Sequence, residues 1–163
     1  IRDKILRIVQ KARSSKAMII YDPNIRSPHK HEMYEKQKMV LENIRLSRIV
    51  RGSNEDFNTI FDIDNPDGAW DICKSNGCEM LIYTMNRNGV KVFREETIKH
   101  YPVPEINPVS TIGAGDSFNA GIIFELYSGH GLNDIDTLVK RGIEFAEEAC
   151  LSVDNYVSGR LKG

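Results

Sequence analysis

Short apolar runs alternate with helical patterns through the first half of the sequence, and this alternation is the strongest constraint on the fold. The runs are Ala17–Tyr21, Arg48–Arg51 and Glu79–Thr84, and Asp22-Pro23 and Gly52 end the first two. Continuous rather than alternating apolar residues are typical of parallel strands buried on both faces. Strands separated by helices predict an α/β fold with a Rossmann-like, mostly parallel sheet and helices on both faces.

The helices are predicted from apolar residues spaced three and four apart and from their capping residues. The expected helices cover residues 3–13, 32–45, 66–74, 115–127 and 134–151, the last with a cap near Asn133. Another helix is expected to begin at the capping pattern of Ser53 and Asp56. Asn86–Gly89 predicts a turn into a strand over Val90–Arg94. The proline-rich stretch Tyr101–Pro108 predicts an extended connection.

Composition narrows the class of protein. The chain has 163 residues, of which 40% are hydrophobic, and its net charge is −1, so we expect one domain over residues 1–163. Scattered Lys and Arg argue against a nucleic-acid partner, and the apolar runs are too short for a membrane helix. Cys73, Cys78 and Cys150 fit no disulfide or zinc pattern, which predicts buried thiols and a reducing, cytoplasmic compartment.

Residues 110–119 read Ser-Thr-Ile-Gly-Ala-Gly-Asp-Ser-Phe-Asn and open an apolar helical run. Gly113, Ala114 and Gly115 are small enough for backbone N–H groups at a helix N-terminus to approach an anion. Asp116 would place a carboxylate in the first turn, beside that anion. Phosphate next to a fixed base is the arrangement that phosphoryl transfer needs. A glycine-rich helix entry with an acidic first turn is the structural alternative.

Thr111, Gly113–Asp116 and Phe118 together resemble the second signature of the ribokinase-like (PfkB-type) carbohydrate kinases. The resemblance implies that Gly113, Ala114 and Gly115 form the anion hole for the transferred phosphoryl group. It implies that Asp116 is the base that accepts the proton of the attacking hydroxyl, with ATP and Mg²⁺ as cofactors. Thr111, Gly113 and Gly115 would also contact the nucleotide.

The resemblance extends through essentially all 163 residues but corresponds to the C-terminal half of the family's chain. The N-terminal half, which carries most sugar-binding residues and the lid, is therefore expected to be missing, and the start at Ile1 is consistent with truncation. We expect little or no turnover by the isolated chain. Self-association, or a homo-oligomer, is expected through apolar surfaces that the other half would cover.

Asp22-Pro23-Asn24-Ile25-Arg26 resembles the family's Asp-x-Asn-x-Arg loop after a strand that faces the active site. Asn24 can bond a hydroxyl or phosphate oxygen, and Arg26 can hold phosphate at two points. Asp22, Asn24 and Arg26 are therefore candidate substrate- or phosphate-binding residues. An Asx-Pro turn with a solvated Arg26 is the alternative.

Two further loops resemble family motifs. Thr84–Gly89 corresponds to a Thr-x-Gly-x-x-Gly segment at the nucleotide, which makes Thr84, Asn86 and Gly89 candidate nucleotide-binding residues. Asn86 replaces the first glycine and tolerates left-handed backbone better than most residues. The segment 52–56 falls at the family's Asn-x-x-Glu motif, so Asp56 or Glu55 would support magnesium through water, while a plain capping box explains the same residues.

The family commonly has Asp where this chain has Ser110, which weakens the case for a monovalent-cation cofactor. The implied reaction is ATP-dependent phosphorylation of a sugar or sugar-acid hydroxyl, of the fructokinase, ribokinase or keto-deoxygluconate kinase type. The alternatives are a kinase for a nucleoside or vitamin alcohol, and a non-catalytic nucleotide-binding or interaction module.

Overall fold

The computed structural model describes residues 2–25, 32–154 and 157. They group into two compact units, Ile1–His100 and Tyr101–Gly163. The organisation of residues 1–163 as one domain stays a prediction. Within the described part of the chain, no helix is long and apolar enough to span a membrane.

The first unit carries most of a five-stranded sheet. Its elements are α1 (Arg2–Ser14), β1 (Ile20–Tyr21), α2 (Met33–Leu46), β2 (Ile49–Ser53), α3 (Asn54–Phe61), α4 (Pro66–Ser75), β3 (Met80–Thr84), β4 (Val90–Arg94) and β5 (Thr97–Tyr101), whose last residue begins the second unit. The strand order is β1-β2-β3-β4-β5. β2 pairs in parallel with β1 and β3, whereas β3 and β4 are antiparallel. The predicted α/β class is confirmed, with a mixed sheet.

Aromatic residues contact one another in the core of the first unit. The Trp70 and Phe93 rings stack with centroids 5.9 Å apart, and Phe57 lies 5.7 Å from Tyr83. Along each central strand, successive side chains alternate between the face of the sheet that carries these aromatic residues and the opposite face. Side chains on both faces are buried, and those on the opposite face include Ile49, Met80, Ile82 and Val92. Burial on both faces explains why the strands read as continuous apolar runs.

Two strand predictions differ from the structure, and one strand was not predicted. β1 covers only the end of the predicted run, and β2 continues through Gly52 to Ser53. Gly52 lies inside the strand, and glycine fits there because a Cβ would lie 2.8 Å from the Phe57 ring. β5 has no counterpart among the predictions, since its residues Thr97–His100 are exposed and include only one apolar residue, Ile98.

The second unit contains α5 (Ala114–Tyr127) and α6 (Ile135–Leu151). The two helices approach closely at two glycines. A Cβ on Gly121 would lie 2.5 Å from the carbonyl oxygen of Arg141, and one on Gly142 would lie 3.0 Å from the Phe118 ring. The N-cap of α6 is Asp134, next to Asn133 as predicted, and its carboxylate accepts the Thr137 N–H.

The three cysteines are buried and free, as predicted. Cys78 Sγ donates to the carbonyl oxygen of Met80 at 3.0 Å. A hydrogen bond to Cys78, together with burial, raises the pKa of Cys73. Burial likewise raises the pKa of Cys150. The three thiols therefore belong to the packed interior of the protein.

Candidate functional site

Polar side chains from three neighbouring strands meet at the carboxyl ends of β1, β2 and β3. The Arg51 guanidinium donates through Nη1 to Asp22 Oδ2 at 2.9 Å and through Nη2 to Thr84 Oγ1 at 3.0 Å. We call these three residues the Arg51 bridge. Thr84 ends β3, and Asp22 follows β1 directly. The predicted site residues Asp22 and Thr84 are thus brought together by a residue that the sequence interpretation missed.

Arg51 is held in a sheltered position. Its side chain is 12% exposed, and that of Asp22 is 17% exposed. The planar guanidinium presents several N–H donors in a rigid fork, so it can donate to two acceptors in different directions. A lysine ammonium is a compact charge and lacks this fork. The signal in the sequence is a charge inside an otherwise apolar strand.

The turn between β2 and α3 is a complete capping box. Asp56 N donates to Ser53 Oγ at 3.1 Å, and Asp56 Oδ2 accepts the Ser53 N–H at 2.8 Å and the Ser53 hydroxyl at 2.6 Å. The other carboxylate oxygen of Asp56 accepts the Ile25 N–H at 3.3 Å. Asp56 is buried and both of its oxygens hold protein groups, so this carboxylate fastens the loop after β1 to α3.

The turn after β3 has an unusual backbone. Asn86 has φ +50°, the left-handed conformation that its residue type permits, and Gly89 has φ +90°. Gly89 combines that φ with ψ −157°, a region that essentially only glycine adopts. The carbonyl of Gly89 accepts the Met85 N–H at 2.9 Å, and Asn86 Nδ2 donates to Glu55 Oε1 at 3.3 Å. The turn is closed on itself and fastened to α3.

The loop after β1 is described as far as Ile25. Asn24 is exposed and has φ +38°, so its amide is accessible to a ligand. Arg26 lies outside the described residues. Across the described ranges 2–25, 32–154 and 157, no group of three or more His, Cys, Asp and Glu is arranged to hold a metal ion.

The glycine-rich segment forms the N-terminus of α5 in the second unit, as its sequence predicts. Gly113 is the N-cap residue with φ +78° and ψ −3°, and its carbonyl accepts the Ser117 N–H at 2.9 Å. That bond is the first of the helix, so the amides of Gly115 and Asp116 have no acceptor within it. Asp116 is exposed in the first turn. We call Gly113–Asp116 the α5 cradle.

The segment that leads into the α5 cradle is fixed by the end of α6. The amides of Val109 and Ser110 both donate to the Cys150 carbonyl, at 2.8 and 3.3 Å. Ser110 Oγ accepts the Ile112 N–H at 3.2 Å. Ala114 N–H bonds the carbonyl of Thr111 at 3.3 Å. Apart from the Ser110 hydroxyl, the contacts that shape the cradle are therefore between backbone groups.

Residues 1–156 match the profile of the pfkB family carbohydrate kinases. The chain belongs to this family. Aminoimidazole riboside kinase of Salmonella typhimurium is 24% identical over 125 residues, which cover 77% of this chain and 39% of that protein. A fructokinase of Escherichia coli is 28% identical over 138 residues, or 83% of this chain and 44% of that protein.

Solved structures show the same fold for this pfkB-family chain. Crystalline aminoimidazole riboside kinase from Salmonella enterica matches with a TM-score of 0.80 at 20% identity, over 90% of this chain and 50% of that one. Fructokinase from Vibrio cholerae, bound to fructose, ADP and calcium, matches with a TM-score of 0.79 at 18% identity, over 97% and 51%. The chain spans about half the length of the proteins that it matches.

A second polar cluster in the pfkB-family chain lies at the opposite end of α5 from the cradle. Buried Glu125 accepts Arg141 Nε at 2.6 Å and lies 3.4 Å from His130 Nε2. The hydrogen bond to Glu125 is the main reason that the pKa of Arg141 is raised. Hydrogen bonds from Thr137 and His130 lower the pKa of Asp134. These contacts join α5 to α6 and to the turn between them.

Proposed function

We propose that the protein transfers the γ-phosphoryl group of ATP to a hydroxyl of a sugar or sugar acid, as fructokinase-, ribokinase- or keto-deoxygluconate-kinase-like enzymes do. The observation that carries this proposal is the α5 cradle, in which first-turn amides lie beside an exposed carboxylate. Amides at a helix N-terminus stabilise negative charge without reorganising during the reaction. Membership of the pfkB family supports kinase chemistry.

Each predicted site residue has a role in this proposal. Asp116 accepts the proton of the attacking hydroxyl, and the amides of the α5 cradle stabilise charge on the transferred phosphoryl group. Residues proposed to contact the nucleotide are Thr84, Asn86, Gly89 and Thr111, and those proposed for the acceptor or phosphate are Asp22, Asn24 and Arg26. ATP binds with magnesium, which neutralises phosphate charge when bound.

The geometry favours Glu55 over Asp56 as the carboxylate that supports magnesium. Mg²⁺ keeps several of its waters and needs an accessible carboxylate to hold them. Glu55 is exposed, whereas both oxygens of Asp56 accept hydrogen bonds from Ser53 and Ile25. Asp56 is proposed to act by holding the turn in shape.

Replacing Asp116 tests the proposed base. In the full-length protein, Asp116→Asn should lower kcat by about 10²- to 10⁴-fold, because proton transfer by a positioned base contributes that much, with little change in the KM for ATP. Asp67→Asn is the matched control, since Asp67 is also an exposed carboxylate in the first turn of a helix. A kcat for Asp116→Asn within twofold of wild type would contradict this role.

The similarity to aminoimidazole riboside kinase supports a second candidate, in which the acceptor is a riboside. A panel of fructose, ribose, a keto-deoxy sugar acid, aminoimidazole riboside and a vitamin alcohol, assayed with the full-length protein, distinguishes these acceptors.

The isolated chain should show little or no turnover because it spans less than half the length of the curated relatives. Sugar phosphate formation by the isolated chain, lost on Asp116→Asn, would overturn that expectation.

Nucleotide binding and self-association can each be tested by one direct measurement. Calorimetry with ATP and magnesium separates a kinase from an interaction module, since no binding at millimolar nucleotide would favour the latter. Self-association is expected from exposed apolar side chains such as Ile8 on α1 and Ile123 on α5. Light scattering that shows a strictly monomeric species would contradict it.

A further inference from the structure

The loop after β1 and the turn after β3 are each fastened at two points to the segment 51–56. Arg51 bonds Asp22 in the loop and Thr84 at the start of the turn. Asp56 bonds the Ile25 amide in the same loop, and Glu55 bonds Asn86 in the same turn. The Arg51 bridge is the only one of these contacts described here in which one side chain joins both segments.

We propose that Arg51 is a positioning residue that sets the affinity for ATP by holding the turn after β3 against the loop after β1. This inference rests on the proposed function, in which Thr84, Asn86 and Gly89 contact the nucleotide. Arg51 acts through Asp22 and Thr84, and its own fork is occupied by these two partners.

The turn needs such support because its backbone is costly to hold. Asn86 has a positive φ, which costs free energy for a residue that has a Cβ, and the freely rotating Gly89 loses conformational entropy when the turn is fixed. A segment held in its binding conformation beforehand loses less entropy when the ligand arrives. Loosening the turn should therefore weaken nucleotide binding, while the reaction of bound nucleotide continues at its normal rate.

An arginine suits this position better than other cations. The bridge is mostly shielded from water, with side-chain exposures of 12% for Arg51 and 17% for Asp22. A sheltered ion pair contributes little unless additional hydrogen bonds satisfy its polar atoms, and the bond to Thr84 supplies one. Lysine keeps the charge but presents no fork that reaches both partners.

The experiment compares the KM for ATP, kcat and amide hydrogen exchange of residues 85–89 in the full-length protein. Arg51→Met removes both bonds and should raise the KM for ATP about tenfold, the size expected for losing a charge-assisted hydrogen bond, with kcat within twofold. Arg51→Lys should fall between wild type and Arg51→Met. Exchange at residues 85–89 should accelerate in both variants.

Arg48→Met is the matched control. Arg48 lies just before β2 and pairs with Glu79 at 2.7 Å, but its side chain is 46% exposed and it touches neither segment. Arg48→Met should leave the KM for ATP and the amide hydrogen exchange of residues 85–89 unchanged. Thr84→Val removes one bond of the bridge. Because Thr84 is itself a proposed nucleotide contact, this variant is compared by amide hydrogen exchange without nucleotide, where the double variant with Arg51→Met should exchange no faster at residues 85–89 than Arg51→Met alone.

Several outcomes would overturn the inference. A lower melting temperature for Arg51→Met with unchanged KM and exchange would show a structural role only, and a loss of kcat at constant KM would place Arg51 in the chemical step. If Arg51→Met does not fold, Thr84→Val decides through exchange measured without nucleotide, and unchanged exchange at residues 85–89 there counts against the bridge. A wild-type protein that uses no ATP with any acceptor refutes the proposed function, whereas the exchange measurement still tests the bridge.

Discussion

The two regions that carry the candidate site residues are held in place by opposite means. At the strand ends of the first unit, side-chain hydrogen bonds fix the loops. Arg51 and Asp56 bond the loop after β1, and Arg51 also bonds Thr84. In the second unit the α5 cradle is shaped by backbone, with Gly113 in a left-handed conformation and Ser117 N–H bonded to its carbonyl.

This difference predicts different sensitivities to substitution. A region held by side chains fails when one charge is removed, and the loss is confined to the loops it joins. A region formed from backbone depends on residues without side chains and on the helix that presents it. For the α5 cradle that dependence extends to Gly121, where α5 meets the backbone of α6.

The largest effect is expected from Gly121→Ala. The new Cβ would lie 2.5 Å from the carbonyl oxygen of Arg141, and backbone cannot yield as a flexible side chain would. Forcing the helices apart should lower the free energy of unfolding by about 2–3 kcal/mol, despite the better helix propensity of alanine. Urea denaturation followed by circular dichroism measures this change.

Gly131→Ala is the control for Gly121→Ala. A Cβ on Gly131 meets nothing within 4 Å, and the backbone there is not left-handed. Its free energy of unfolding should stay within about 0.5 kcal/mol of wild type, as for most surface substitutions. Equal stabilities for the two variants would show that the close approach of α5 and α6 does not limit the second unit.

Gly113→Ala tests the backbone of the cradle itself. Its φ of +78° should cost an alanine about 1–2 kcal/mol of folding free energy and displace the amides that follow. Gly129→Ala is a matched control, because Gly129 also has positive φ (+98°) but lies beyond the C-terminal end of α5. Both variants should be destabilised, but only Gly113→Ala should weaken ATP binding in calorimetry. Equal ATP affinities would contradict the proposed anion site.

The sequence made local features predictable and left distant partners hidden. Ser53 and Asp56 are three residues apart, and their capping box could be predicted because it needs no tertiary information. The left-handed tolerance of Asn86 is likewise a property of its residue type. Arg51 could not be assigned from the sequence, because its partners Asp22 and Thr84 are 29 and 33 residues away. The same holds for Gly121, whose constraint comes from the backbone of another helix.

Tyr101→Phe asks whether a side chain also matters in the backbone-held unit, and its effect should be the smallest. Tyr101 Oη donates to Asp136 Oδ1 at 2.6 Å, so its loss should cost about 1 kcal/mol of unfolding free energy at neutral pH. Tyr127→Phe is the control, since Tyr127 is 93% exposed.

The pH dependence tests whether the Tyr101 phenol stays protonated in the folded protein. Burial, and then the hydrogen bond to Asp136, raise the pKa of Tyr101, so the phenol stays protonated in the folded protein where the unfolded one ionises, at about pH 10. Because the folded pKa is the higher one, the stabilisation is complete below pH 10 and is lost as pH rises above it. The difference in unfolding free energy between wild type and Tyr101→Phe should therefore shrink above pH 10. A difference that stays constant from pH 8 to pH 11 would mean that the Tyr101 hydroxyl ionises alike in the folded and the unfolded protein, which would contradict its burial and its bond to Asp136.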